Sequence, residues 1–333
     1  MRVKRYCMDL GARQMRVAVD GKIVCTEPSV LMTATADGRV LVAGKEALAA
    51  RERSPDNIQV RCPLAQGRAA DPTLLEALLR WVRQAVVPTK VSLGSGFLLG
   101  RWLPPAVVLT VPAQAADYER EGLQDAARAA GFGKVTLVDE VVAHAAGADW
   151  DFGSEPCAVL VVGAAYAQAG VLKDGKVVCA RSLHERNPMD AAAGDAFVAQ
   201  LRHRVRLTYG LHLGCDQAEQ VLRDPEQALV AYDERTGRVA EIRLTAEDLE
   251  DARKLPLERL AQLLTTTVEE GVALLGAGVS SAIARRGVLL TGGGALLPGL
   301  EEALQARTSL GFVRPEDPCE TAIRGLMKLE VRA

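Results

Sequence analysis

Three short extended runs followed by helices occur twice in this 333-residue chain, and this recurrence restricts the fold more than any other feature. The first set covers Val3–Met8, Met15–Val19 and Lys22–Thr26, and the second covers Ala158–Val162, Ala169–Leu172 and Val177–Leu183. Because one pattern returns about 150 residues further along, we expect an internal duplication that produces two related halves. A ligand cleft between the halves is expected, since ligand sites favour such interfaces.

Alternating strands and helices follow each set. After the first set we expect a strand over Ala106–Val111, a helix over Ala115–Ala130, a strand over Lys134–Val138 and a helix over Val141–Ala148. After the second we expect a helix over Asp195–Leu207, a hairpin across Thr236-Gly237, helices from Thr245 onward that include one over Pro256–Leu275, and a strand over Val288–Leu290. This alternation predicts a partly parallel sheet covered by helices, so the fold class is α/β.

The composition is that of an ordinary globular protein, with 49% hydrophobic and 25% charged residues. A net charge of −2 lacks the basic excess of a nucleic-acid-binding protein, so we expect no nucleic-acid partner. The seven cysteines are dispersed and never form a CxxC pair, which favours a reducing cytosol over a disulfide framework or a zinc site. Asp9 interrupts the basic N-terminus before an apolar stretch can form, so we expect a cytoplasmic protein without a signal peptide.

A run of three glycines, Gly292, Gly293 and Gly294, follows the last predicted strand and is expected to lead into a helix. Glycine removes every Cβ, so a flat ligand could lie against bare backbone near a helix N-terminus. This pattern suggests a nucleotide site, although the missing Lys-Ser/Thr argues against a P-loop. A plain strand–turn–helix corner is the alternative interpretation.

Seven short segments resemble those of the MreB family of bacterial actins, and they extend over nearly the whole chain. They are Glu27–Val30, Gly44–Ala47 with Pro55–Ile58, Pro63–Asp71, Val107–Pro112, Leu289–Leu300 and Glu316–Gly325. MreB belongs to the superfamily of actin, heat-shock chaperone and sugar kinase ATPases. The resemblance implies an actin-like fold with two duplicated lobes around a nucleotide cleft. Each lobe would have a three-strand meander, parallel strands and helices on both faces.

The resemblance also implies subdomains, a cofactor and a partner. It places the lobe I core at residues 1–28, 65–150 and 318–333, with a small subdomain at 29–64. It places the lobe II core at residues 151–208 and 256–317, with a small subdomain at 209–255. ATP or ADP with Mg²⁺ would be the cofactors. The partner would be the protein itself, in a head-to-tail homopolymer.

The first phosphate turn is similar to that of the family in part. Asp9 and Gly11 match its DLG motif, in which the aspartate holds Mg²⁺ through water. Ala12–Met15 lack the hydroxyl groups that the family has next. Glu140 matches the glutamate that orients the attacking water, and it would act only with metal and phosphate in place.

The second phosphate turn departs from the family pattern. Where the family has an aspartate followed by three glycines, two threonines and a glutamate, this chain keeps Gly163 within Val161–Gln168. Val161 cannot hold a metal-bound water, and Ala164 and Ala165 put methyl groups where backbone would approach phosphate. We therefore interpret this segment as an ordinary apolar strand and turn, which argues against Mg²⁺ binding.

The adenosine side is closer to the family. Gly194 and Asp195 resemble its GGD motif, and Glu219 aligns with a carboxylate on the ribose or adenine side. The glycine run at 292–294 resembles the adenosine loop. Losing one preorganised charge-stabilising group typically costs about 10²–10³ in rate, and several are replaced here. We therefore expect weak or absent ATP hydrolysis.

A loop over Phe97–Leu103 is rich in large apolar side chains, with candidates Leu98, Leu99, Trp102 and Leu103. In MreB the corresponding loop inserts into the membrane, and exposed apolar clusters usually contact a membrane or protein. Packing on the core and a filament contact are the alternatives. The insertion His184–Ala192 has no family counterpart.

Three functions remain open at this point. The first is a filament-forming bacterial actin with weak or absent hydrolysis. The second is an active Mg–ATP-dependent polymerising ATPase. The third is a non-polymerising pseudo-actin that acts as a scaffold or regulator.

Overall fold

The computed structural model describes residues 5–51, 55–65, 68–87, 104–183, 192–233 and 235–329. The chain divides into two compact units. Unit 1 is Met1–Asp149 with Ala322–Ala333, and unit 2 is Trp150–Thr321. The finer division into small subdomains stays a prediction. The membrane-loop candidates Leu98, Leu99, Trp102 and Leu103, and residues 184–191 of the insertion, lie outside the described residues.

Unit 1 has a five-stranded mixed sheet. Its strands are β1 (Arg5–Leu10), β2 (Gln14–Val19), β3 (Lys22–Pro28), β9 (Ala106–Val111) and β10 (Val135–Asp139). They lie side by side in the order β10-β9-β1-β2-β3. Its helices are α1 (Lys45–Ala49), α2 (Pro72–Val86), α3 (Asp117–Ala129), α4 (Glu140–Gly147) and α10 (Thr321–Lys328). Smaller sheets are formed by β4 (Leu31–Ala34), β5 (Val40–Ala43) and β6 (Ile58–Arg61), and by β7 (Leu64–Ala65) and β8 (Arg68–Ala69).

Unit 2 repeats this arrangement, with the strand order β17-β16-β11-β12-β13. Its strands are β11 (Cys157–Val162), β12 (Ala167–Lys173), β13 (Lys176–Leu183), β16 (Val288–Thr291) and β17 (Phe312–Val313), with a separate hairpin of β14 (Leu229–Asp233) and β15 (Arg238–Ile242). Its helices are α5 (Gly194–Tyr209), α6 (Cys215–Arg223), α7 (Ala246–Leu275), α8 (Gly278–Arg286) and α9 (Leu300–Thr308). The predicted α/β class and duplicated meander are confirmed.

Each sheet is buried against helices, and the sequence pattern explains why. Every residue of β11 is buried, as its unbroken apolar run predicts for a central strand covered on both faces. In unit 1, α2 buries one face made of Leu74, Leu75, Leu78, Leu79 and Val82. Asp71 caps this helix by accepting hydrogen bonds from the backbone N–H groups of Thr73 and Leu74. Within the described residues, no helix is long and apolar enough to cross a membrane.

Two predicted boundaries are wrong. The helix expected over Pro256–Leu275 does not start at Pro256: it is continuous with a helix that begins at Ala246, next to the expected onset at Thr245, and Pro256 lies buried inside it. A proline inside a helix removes one backbone hydrogen bond, and burial of Leu249 and Leu257 on either side keeps the helix continuous. The glycine run does not lead directly into a helix. A 3₁₀ turn covers Gly293–Leu296, and α9 begins only after Gly299, which has a positive φ of 74°.

The buried carboxylate of Asp248 ties α5 to α7 in unit 2. It accepts hydrogen bonds from the Tyr209 hydroxyl at 2.7 Å, the Arg204 Nε at 3.0 Å, and the Thr245 N–H and hydroxyl at 3.0 and 2.8 Å. Burial acts to raise the pKa of Asp248, but these donors outweigh it and hold the pKa below its ordinary value.

Asp248→Asn is expected to lower the free energy of unfolding at pH 7 by about 2 kcal/mol, because it removes charge-assisted hydrogen bonds. A lowered folded-state pKa contributes stability above the unfolded value, and that contribution is lost as the pH falls below about 4. The difference in the free energy of unfolding between wild type and variant, measured by urea denaturation, should therefore be smaller at pH 3.5 than at pH 7. An equal difference at the two pH values would contradict stabilisation by the ionised Asp248 carboxylate.

Candidate functional site

A glycine turn joins the first two strands of each unit, and the two turns need glycine for the same reason. A Cβ on Gly11 would lie 2.6 Å from the carbonyl oxygen of Gln14. A Cβ on Gly163 would lie 2.8 Å from the carbonyl oxygen of Tyr166. Both distances are shorter than a Cβ tolerates, so the duplication extends to the turns that the sequence marked as phosphate turns.

In unit 1, Asp9 lies just before its turn and is 8% exposed. The Thr110 hydroxyl donates to Asp9 Oδ1 at 3.3 Å, and Arg16 Nη1 lies 3.9 Å from Asp9 Oδ2. The pKa of Asp9 is raised to about 6, because of burial first and the negative charge of Glu140 second. Arg16, Thr110 and His144 act in the opposite direction. The structure therefore brings Asp9 and Glu140 into one electrostatic cluster.

Glu140 is positioned at the start of α4, directly after β10. His144 lies one helical turn later, and its Nε2 is 3.7 Å from Glu140 Oε1. His144 is buried, as expected for a satisfied interior histidine. Sequence reasoning missed its pairing with Glu140, although their spacing of four residues on a helix is a readable signal.

The position in unit 2 that is equivalent to Asp9 carries no carboxylate. Val161 pairs with Gln168 on one side and Thr291 on the other, just as Asp9 pairs with Arg16. Val161 is 2% exposed and Gln168 is fully buried. Gln168 Nε2 donates to the Ser182 hydroxyl at 2.9 Å, whereas its Oε1 has no hydrogen-bond partner among the described residues. The position that would hold a metal-bound water in unit 2 is thus an apolar core position.

The N-terminus of α5 is already occupied by the protein's own backbone. The N–H of Gly194 donates to the carbonyl of Gly163 at 2.9 Å, and the N–H of Asp195 donates to that of Ala164 at 2.8 Å. The next two N–H groups donate to the carbonyl of Ala193. An anion at a helix N-terminus needs such N–H groups free. The second turn and Gly194-Asp195 therefore do not fit a phosphate in this arrangement.

Two of the three glycines pack against Val162. Gly292 has a positive φ of 86°, and a Cβ there would lie 2.5 Å from the carbonyl oxygen of Val162. A Cβ on Gly294 would lie 2.4 Å from Val162 Cγ1. Only at Gly293 is there room, with Cys319 Sγ nearest at 3.8 Å. Gly292 and Gly294 are therefore required by packing, and the third glycine, Gly293, leaves its backbone accessible to a flat ligand.

A hydrogen-bonded anchor that the sequence did not reveal holds this glycine turn. The carbonyl of Pro318 accepts from the Thr291 hydroxyl at 3.1 Å, the Thr321 hydroxyl at 3.0 Å and the Gly292 N–H at 3.1 Å. The two hydroxyl oxygens are 2.6 Å apart, and both threonines are buried. The segment after β17 therefore fixes the start of the turn.

Thr291→Val is expected to lower the free energy of unfolding by about 1–2 kcal/mol, because the valine cannot donate to the buried Pro318 carbonyl. Thr136→Val, at a half-buried position on β10, is the matched control and should stay within about 0.5 kcal/mol of wild type. Urea denaturation of both variants checks this. Equal stability of the two would contradict the anchor.

Glu219 lies on α6, with its carboxylate Oε1 3.0 Å from Arg223 Nη2 one turn further along. Its side chain is 28% exposed. Its predicted role beside the ribose or adenine stays a prediction.

A scan against protein-family models matches the MreB/Mbl protein family over residues 3–333. A curated relative, the cell shape-determining protein Mbl of Bacillus cereus, is 28% identical over 96% of this chain and 94% of its own. The cell shape-determining protein MreB of Escherichia coli K12 is 27% identical over 96% of this chain and 90% of its own.

Solved structures agree on the fold. MreB5 of Spiroplasma citri bound to AMPPNP has a TM-score of 0.85 and 20% identity, covering 99% of this chain and 96% of its own. The MamK double helical filament has a TM-score of 0.74 and 18% identity, covering 99% of each chain. With the actin-like fold and the family match extending over nearly every residue, this chain belongs to the MreB/Mbl family.

Proposed function

We propose that this chain is a bacterial actin-like cytoskeletal protein that assembles head to tail into filaments and hydrolyses ATP weakly or not at all. The family match over residues 3–333 carries the cytoskeletal part of the proposal. Relatives in the family bear the name cell shape-determining protein, and MamK is known as a double helical filament. A head-to-tail contact joins two different surfaces and does not close, so it produces a filament.

A nucleotide would be held mainly on its adenosine side. The similar MreB5 binds AMPPNP in one structure and ADP in another. In this chain, Gly293 offers open backbone and Thr291 anchors the turn before it, which supports a seat for adenosine at 292–294. Glu219 would supply a carboxylate to the ribose or base.

The phosphate side supports binding less well. The N–H groups of Gly194 and Asp195 donate within the protein, and Val161 offers no acceptor for a Mg²⁺ water. Asp9 in unit 1 would be the residue to hold Mg²⁺ through water, with Glu140 to orient a water molecule. The second turn does not fit the phosphates, so this arrangement of unit 2 supports no hydrolytic step.

Pelleting and negative-stain electron microscopy of the purified chain test the proposal, with no nucleotide, with Mg–ATP and with ATP plus EDTA. We expect filaments under all three conditions, because interface burial would drive assembly when nucleotide chemistry does not. Filaments only with Mg–ATP would overturn the weak-hydrolysis part and favour a working polymerising ATPase, which the retained Asp9–Glu140 cluster favours. No filaments under any condition would favour a scaffold or regulator.

We propose membrane association through the Phe97–Leu103 loop as a separate property of the filament. The concentration of large apolar side chains there supports it. Co-sedimentation with liposomes should fall on Trp102→Ala, with pelleting in the absence of liposomes as the control. Unchanged binding would favour packing of the loop on the core or a filament contact.

A further inference from the structure

Unit 2 has a cavity of about 320 Å³ that none of the candidate nucleotide residues lines. It lies where α7 and α9 meet, with Phe197 of α5 at its base. Phe197, Leu257 and Leu300 form an apolar floor, since each is at most 5% exposed. A volume near 300 Å³ with an apolar lining is at the lower end of small-molecule sites.

Two guanidinium groups, those of Arg253 and Arg307, also line the cavity, together with the exposed carboxylate of Glu250. These three are the charged side chains of the lining, so two positive charges against one negative charge leave a net charge of +1. Within the described part of the chain, neither Arg253 nor Arg307 forms an ion pair. Arg253 Nη2 donates to the Leu222 carbonyl at 3.3 Å, and Arg307 Nη1 donates to the Ala303 carbonyl at 2.9 Å.

Arg253 is half-buried, and its pKa is lowered by desolvation. A guanidinium has five N–H donors, so the single bond to Leu222 leaves donors for a ligand. A buried charge is normally paired, because desolvation is costly without a partner. The side chain therefore keeps an unused binding capacity at the wall of an apolar cavity.

We propose that this cavity binds a small organic anion with an apolar body and one carboxylate or phosphate group. The apolar body would lie over Phe197, Leu257 and Leu300, and the anionic group would accept hydrogen bonds from Arg253 and Arg307. This site is independent of the nucleotide site, and binding to it requires neither ATP nor filament assembly.

Isothermal titration of the full chain with octanoate, octyl phosphate and octan-1-ol tests the proposal, since the three share an apolar tail and differ in the head group. We expect at least one anion to bind about tenfold or more tightly than octan-1-ol. The comparison of octanoate with octyl phosphate distinguishes a carboxylate ligand from a phosphate ligand.

Arg253→Met should lower the affinity for the anion about tenfold, whereas the affinity for octan-1-ol should stay unchanged. Lys254→Met is the matched control, because Lys254 is an exposed cation at the next position of α7 and does not line the cavity. Arg307→Met serves if Arg253→Met fails to fold, as judged by circular dichroism. The proposal is overturned if no anion binds, if octan-1-ol binds as tightly as both anions, or if the folded arginine variants and Lys254→Met all keep wild-type affinity.

Discussion

Purified protein is expected to release phosphate from ATP at least about 10²-fold more slowly than an MreB protein that retains both phosphate turns of the family. The reason lies in unit 2. Val161 offers no carboxylate at its core position, and the first N–H groups of α5 donate to the carbonyls of Gly163 and Ala164. Phosphoryl transfer depends on preorganised hydrogen-bond donors and on a metal ion that neutralises the phosphate charge. Loss of these groups is by itself enough to slow the reaction.

The variant Glu140→Ala distinguishes a hydrolysis rate that is already lost through unit 2 from that of an active ATPase. If hydrolysis is already lost through unit 2, removing the carboxylate that we propose to orient water should leave the residual rate within about twofold, since an incomplete site loses little further rate. Phosphate release should be measured at filament-forming concentrations for both proteins. A wild-type rate comparable to that of an MreB protein, together with a large loss on Glu140→Ala, would contradict the expectation and identify an active ATPase.

Gly325→Ala is expected to lower the free energy of unfolding by about 3 kcal/mol or more, at the upper end for overpacking. Gly325 of α10 packs directly on α4. A Cβ there would lie 1.7 Å from the carbonyl oxygen of Ala143 and 2.9 Å from the backbone nitrogen of Gly147. Both neighbours are backbone atoms, so the two helices would have to separate, and Ile323 and Leu326 would lose their buried contacts.

Gly122→Ala is the matched control on α3, where nothing lies within 4 Å of an added Cβ. Here the substitution should raise the free energy of unfolding by about 0.5–1 kcal/mol, because alanine favours the helix and restricts the unfolded chain. Urea denaturation gives both values, with equal m-values indicating comparable unfolding. A stabilising effect of Gly325→Ala would contradict the close approach of α10 and α4.

Much of the fold could be predicted from local pattern. The apolar run at Ala106–Val111, which Thr110 interrupts, predicted β9 with its observed bounds. Pro72 is of a residue type that favours the first turn of a helix, and it begins α2. The recurrence of the meander predicted two related halves, and the two units have the same strand arrangement. The predicted helix start at Pro256 was wrong. Proline inside a helix costs about 3 kcal/mol locally, and the burial of Leu249 and Leu257 on either side of it, which stabilises the continuous helix, depends on the tertiary structure.

In the candidate site, the family resemblance found some residues and only the structure revealed the others. Asp9 and Glu140 were found by resemblance to a family, and the structure brings them into one cluster. Thr110 and His144 were not assigned to the site, since Thr110 contacts Asp9 across 101 positions of sequence and no local signal reports such a contact. The same holds for the Pro318 carbonyl, which accepts from Thr291 27 positions away.

The glycine run at 292–294 separates what sequence and structure each contribute. Its residue types and order, together with the other matching segments, indicated the family, and they marked the end of the strand before it. Whether the glycines face a ligand depended on packing: Val162 of a neighbouring strand occupies the space beside Gly292 and Gly294, leaving the side of Gly293 open. Which backbone donors remain available at α5 was likewise a matter of long-range hydrogen bonds, since the carbonyls of Gly163 and Ala164 come from a turn some thirty positions earlier.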